Sequence, residues 1–147
     1  MTKLEYDVVG IGNAIVDLII QTSDSFLKEN GLSKGTMEII DSTTAKTLYS
    51  SLNSTSEMSG GSAANTLAGI AALGGNAAFI GKVGNDELGK NFARDISKIG
   101  VSYHNSPELT GSPTATSFVF VTPDAERTMQ TFLGACVELA PEDIDSK

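Results

Sequence analysis

Between Gly60 and Gly100 the chain reads as helix, strand, helix with glycine at every corner, and that alternation admits few architectures. The stretch opens as GGSAANTLAGIAALGG, two adjacent glycines and a small polar turn followed by an apolar helix through Leu73. Asn76 to Gly81 is strand-like, and Asn85 is expected to cap the next helix, with Asp86 and Glu87 in its positive first turn. Leu88, Phe92, Ile96 and Ile99 recur at helical spacing, Lys90, Arg94, Asp95 and Lys98 take the other face, and Gly100 ends the run. Strands alternating with helices predict parallel β-α-β units in an α/β sheet.

The flanks add strands that fit such a sheet poorly. YDVVGIG at 6–12 reads as a buried first strand, followed at once by another at 15–21. Asp24 is expected to cap a helix over 25–30 ended by Gly31, and Asp41 one over 42–52 after a strand at 35–40. Residues 114–122 and 128–133, rich in Thr, Val and Phe around the turn PDAE, read as a β-hairpin. The strands at 15–21, 35–40 and 114–122 alternate only roughly between apolar and polar, which places them in a small, separate, partly exposed sheet over the main one. SSLNSTS at 50–56 reads as a polar loop. Pro141 with acids behind it reads as a helix start, so the chain is expected to stop mid-architecture.

Length and charge exclude several classes of function. The 147 residues suit one domain, and ten Lys plus Arg against eighteen Asp plus Glu give a net charge of −8, which argues against nucleic acid or an anionic membrane as partner. A single cysteine, Cys136, and a single histidine, His104, allow no internal disulfide and no zinc cluster, so no metal site is expected and both residues are read as structural. With no apolar leader and no membrane-length run, a cytoplasmic location is expected.

Three glycine patterns bear on phosphate chemistry. GIGNAI at 10–15 has Ile15 where a dinucleotide fingerprint needs its third glycine, and strand rather than helix follows. A Walker A loop fails because Val83 stands where Ser or Thr must hold magnesium. GKVGND at 81–86 reads as a strand-to-helix turn whose glycines serve geometry. Gly60-Gly61 is different: one left-handed residue suffices for a turn, so two adjacent glycines point to ligand approach or hinge motion. Ser62 is expected to cap the apolar helix, with Asn65 completing an Asn variant of the capping box. Asn13 and Asp17 would lie near that turn, beyond the carboxyl ends of the strands, where ligands gather; as an alternative, Asp17 is an exposed edge residue of its strand. Arg127 opens an otherwise uncharged strand, and its guanidinium suits a phosphate, although a solvated cation is the plainer reading.

GIGNAIVD, GGSAANTLAGIAALGGNAAFIGKVGNDELG and ERTMQTFLGA together resemble the N-terminal half of the ribokinase-like (PfkB) family of carbohydrate and nucleoside kinases, and the likeness extends over nearly the whole chain. The resemblance implies a three-layer α/β/α core, here its N-terminal part only, with a small β-sheet lid made of strands 15–21, 35–40, 114–122 and 128–133. It implies transfer of a phosphoryl group from ATP to a hydroxymethyl group. By position, Asp17 resembles the family aspartate that binds substrate hydroxyls, Asn13 and Asn65 its supporting asparagines, and Gly60-Gly61, with Ser62 behind them, the hinge across which the lid closes. Met37 and Met129 would project over the substrate with Leu133 beside it, and Arg127 would approach the transferring phosphate.

ERTMQTFLGA and the double glycine look more similar to adenosine kinases than to ribokinases or fructokinases, so an adenosine-like nucleoside is favoured, with a free sugar as the alternative. The family's general base, in a Gly-Ala-Gly-Asp turn, has no counterpart in this sequence. ATP and Mg2+ are therefore expected to bind mainly to a missing C-terminal half, and the 147 residues alone are expected to be inactive. If the chain were naturally this short, the alternative is a noncatalytic sugar-binding module. The resemblance leaves open a monovalent cation and a homodimer through lid strands.

Overall fold

The computed structural model of the chain describes residues 5–52, 56–104 and 111–144. The predicted alternation builds a three-stranded parallel sheet, ordered β1 (Val8–Ile11), β5 (Ala77–Ile80), β6 (Val101–Ser102). Helix α3 (Ser62–Ala72) leads into β5, and α4 (Glu87–Lys98) carries the chain from β5 to β6. Gly10 and its register partner Phe79 face these helices. Leu67 of α3 packs so close to Gly10 that a Cβ there would lie 2.8 Å from its Cδ1, and the Phe79 ring meets Phe92 of α4 at 5.8 Å. Tyr103 completes an aromatic trio, 5.9 Å from Phe79 and 5.6 Å from Phe92. The expectation of a buried first strand is corrected: Val9 and Ile11 are 55 % and 59 % exposed, because β1 is a sheet edge whose far face no described residue covers.

The remaining strands form a second sheet of five, ordered β3 (Met37–Ile39), β8 (Arg127–Phe132), β7 (Ala115–Val121), β2 (Ile15–Gln21), β4 (Ser56–Gly60). The separate sheet and the β7–β8 hairpin stand as expected. Two details differ. The strand expected at 35–40 shortens to Met37–Ile39, and Ser56–Gly60, read as loop and turn, pairs antiparallel with β2 as an edge strand. The sheet is also less exposed than its pattern suggested, since β7 is buried along almost its whole length. Val16, Leu18, Ile20, Phe118 and Phe120 enter the same hydrophobic cluster as Phe79, Phe92 and Ile96, so one core serves both sheets. Phe26 of α1 (Asp24–Glu29) stacks 5.7 Å from Phe120, and Ala45 of α2 (Ser42–Ser51) joins the cluster.

The caps show side chains competing for the same amides. Ser23, not Asp24, accepts from the Phe26 N–H, and Asp86, not Asn85, accepts from Gly89 N–H at 2.9 Å. Asp86 wins because its second oxygen also accepts from Thr114 N–H at 2.8 Å, fastening the start of α4 to the start of β7. Asp41 caps α2 as expected. Pro141 opens a 3₁₀ turn, Pro141–Asp143, and buried Lys82 reaches from the end of β5 to the Asp143 carboxylate at 2.9 Å. Residues 53–55 of the expected polar loop lie outside the described residues.

Candidate functional site

Strand pairing places the candidate residues on faces. Side chains two apart along a strand share a face. Asp17 therefore stands in a row with its register partners Met58 on β4 and Ser117 on β7, and through Ser117 with Thr131 on β8. The next row on that face is Ile19, Val119, Met129 and Met37, and the third holds Val121 and Arg127. Val16, Leu18 and Ile20 point the other way, into the core. The five-stranded sheet thus has an apolar face that builds the protein and a second face carrying Asp17, Met37, Met129 and Arg127 together.

Asp17 is half-buried, and among the described residues its carboxylate accepts no hydrogen bond. Burial pushes its pKa above the ordinary carboxylate value, and the positive charge of Arg127 pulls partly against that shift. Being partly desolvated without a donor, the carboxylate gains from any ligand hydroxyl that reaches it. The reading of Asp17 as a solvated edge residue does not hold, since β2 is flanked by β4 and β7.

The paired glycines are explained by what presses on them. A Cβ on Gly60 would lie 2.7 Å from Asp17 Cγ and 2.9 Å from its Oδ1, so the carboxylate rests in space that any other residue would fill. Gly61 has φ +101°, in the left-handed range, and a Cβ there would collide with the Asn13 carbonyl oxygen. Asn13 meets the bend through its backbone, and its side chain is exposed. The expected role of Ser62 as cap is corrected: Gly61 occupies the N-cap position with no side-chain cap bond, and exposed Ser62 is the first helical residue. Only glycine takes the φ that lets α3 start here, so the serine is carried one position inward. Asn65 makes the ordinary helical bond from its N–H to the Gly61 carbonyl at 2.9 Å rather than a capping box. Its side chain lines a hollow of about 300 Å³ between β4, α3 and α4, with Met58, Ala68, Ile96 and Ile99, and Asp17 is not among the residues of that hollow.

Met37 and Met129 are register partners; Met37 is exposed and Met129 half-buried. Leu133, half-buried, follows β8 at the entry to the 3₁₀ turn Gly134–Glu138, and Arg127 is exposed at the first position of β8. Sequence reasoning missed Ser117 and Thr131, buried hydroxyls on the Asp17 face that bond each other at 3.0 Å. Neither stands out locally, since Thr and Ser occur on both faces of these strands and only the strand register aligns this pair with Asp17. Cys136 is buried, its thiol pushed up to about 11 by burial, and His104 is exposed. No group of three or more His, Cys, Asp or Glu able to hold a metal occurs among the described residues, and none of their helices is long and apolar enough to cross a membrane.

Known proteins share this fold. The adenosine kinase from Sinorhizobium meliloti is 54% identical, with a TM-score of 0.88 over 97% of this chain and 43% of that one. A probable sugar kinase from Rhizobium etli CFN 42 is 50% identical, with a TM-score of 0.88 over 96% and 43%. Probable fructokinase-4 of Arabidopsis thaliana is 36% identical over 88 residues, 58% of this chain and 27% of the relative. The chain spans less than half the length of each. The family model described as pfkB family carbohydrate kinase matches residues 8–147, from the first strand onward. With the ribokinase-like α/β fold and its second sheet both in place, the chain belongs to the pfkB family of carbohydrate kinases.

Proposed function

We propose that this chain is the substrate-binding and lid half of an ATP-dependent kinase that phosphorylates a hydroxymethyl group of an adenosine-like nucleoside. One observation carries the reading: a half-buried carboxylate, Asp17, with no hydrogen-bond donor among the described residues, held against Gly60 on the face of the sheet that does not build the core. Asp17 accepts hydrogen bonds from ligand hydroxyls, and the glycine bend lets a ring approach backbone that any Cβ would shield. Met37 and Met129 offer an apolar bed to a flat base. Arg127, on the same face, brings a fixed positive charge toward the phosphate oxygens, where a guanidinium stabilises charge developing during phosphoryl transfer.

The described residues supply no convergent donor set for Mg2+, the ion that accompanies ATP in phosphoryl transfer. In this reading both bind to a part of the kinase that this chain does not span, together with the general base. A free sugar as acceptor is the second reading, favoured by the fructokinase similarity. The test is turnover of adenosine, ribose and fructose with ATP by the polypeptide at its full encoded length. Asp17→Asn is expected to abolish it, and undiminished turnover in that variant defeats the proposal.

A further inference from the structure

The face that carries Asp17 has an order along and across its strands that goes beyond one carboxylate. Neighbouring strands lie about 4.8 Å apart, so Ser117 is one strand and Thr131 two strands, roughly 10 Å, from Asp17 in the same row. That reach exceeds a single sugar ring and matches a ring with a second ring attached. The neighbouring row, Ile19, Val119, Met129 and Met37, is wholly apolar. A polar stripe therefore runs beside an apolar one.

Ser117 and Thr131 are buried, 5 % and 7 % exposed, and bond to each other at 3.0 Å. Two hydroxyls hold two donors, and their mutual bond uses one. The pair keeps one O–H and several lone pairs, so it can donate and accept side by side. A flat heteroaromatic ring that presents a donor next to an acceptor complements both functions, whereas a purely apolar ring would leave them unmatched.

We infer that the Ser117–Thr131 hydroxyl pair is a specificity determinant that reads the hydrogen-bonding edge of a heteroaromatic base while Asp17 holds the sugar hydroxyls of the same ligand. This rests on the substrate site proposed above. It predicts that the pair discriminates nucleoside from free sugar, since a sugar gripped by Asp17 ends before it reaches Thr131.

The experiment measures adenosine and ribose binding by calorimetry on the polypeptide at its full encoded length, for the parent, Thr131→Val, Thr131→Ser, Ser117→Ala and Asp17→Asn. Thr131→Val and Ser117→Ala are each expected to weaken adenosine binding about tenfold, the worth of one neutral hydrogen bond, and to leave ribose binding unchanged. Thr131→Ser is expected to restore adenosine affinity, which a packing defect would not allow. Equal weakening for both ligands, or none for adenosine, overturns the inference. Should Thr131→Val fail to fold, Ser117→Ala and Thr131→Ser decide the matter by the same criteria. Ribose binding lost in Asp17→Asn with adenosine unaffected at Thr131 and Ser117 removes the inference alone; a parent that binds neither ligand removes the site reading as well.

Discussion

Gly60→Ala isolates the contact on which the site is built. Gly60 lies opposite Ile15 in the β2–β4 pairing and is not among the residues with positive φ, so alanine meets no backbone strain there. The entire cost is collision, because the new methyl would lie 2.7 Å from Asp17 Cγ, where carbon atoms normally settle at about 3.5–4.0 Å. The carboxylate must retreat by roughly 1 Å. Overpacking of this kind costs about 1–3 kcal/mol. In an Asp17→Ala background the obstructing atoms are gone and the same methyl is expected to cost close to nothing, so the two substitutions couple by about 1–3 kcal/mol. Urea denaturation of the parent, both single variants and the double variant at pH 7 measures that coupling. Turnover offers a second readout, since a misplacement of about 1 Å can cost on the order of a hundredfold in rate. A Gly60→Ala cost that is identical with and without the Asp17 carboxylate would refute the reasoning, for it would trace the glycine to strand geometry instead.

Three further outcomes follow from particular groups. Gly61→Ala is expected to destabilise by about 1–3 kcal/mol through its left-handed φ, with more from the Asn13 carbonyl, in both Asp17 backgrounds alike; denaturant midpoints check this. Because burial raises the Asp17 pKa, its charged form costs stability. Folding is thus relieved as pH falls through that raised value, while binding of ligand hydroxyls, which needs the carboxylate, is lost over the same range, above the ordinary carboxylate value. Asp17→Asn is expected to flatten both pH profiles. Lys34 bridges Asp24 at 2.6 Å and Asp124 at 2.7 Å, and its hydrogen bond holds Asp124 down at about 2. Lys34→Met is expected to return Asp124 toward the ordinary range in an NMR titration without a measurable change in melting temperature, as these groups are screened by solvent.

The parts of the fold that were legible in the sequence are those whose periodicity is strong and whose surroundings are ordinary. Helix α4 announced itself through Leu88, Phe92 and Ile96, the last two now buried, and the β7–β8 hairpin through its turn. Strand β4 was hidden because SEMSG carries no apolar alternation; an edge strand with three exposed residues needs none. β1 misled for the opposite reason, its Val and Ile being suited to cover that no described residue provides. Within the site, Gly60-Gly61 and Asp17 stood out locally, by an unneeded second glycine and a charge among aliphatics. Ser117 and Thr131 did not, since hydroxyls in a strand are common and only the cross-strand register aligns them with Asp17.

The shared core limits what the glycine bend can do. Phe118 and Phe120 belong to the second sheet yet are sealed into the same apolar mass as Phe79 and Phe92 beneath the first. A wide gate-like opening would tear that mass apart and wet four aromatic rings. Whatever freedom Gly60 and Gly61 grant is therefore that of a stiff leaf flexing at its rim, where β4 and β3 overhang, while its centre stays riveted.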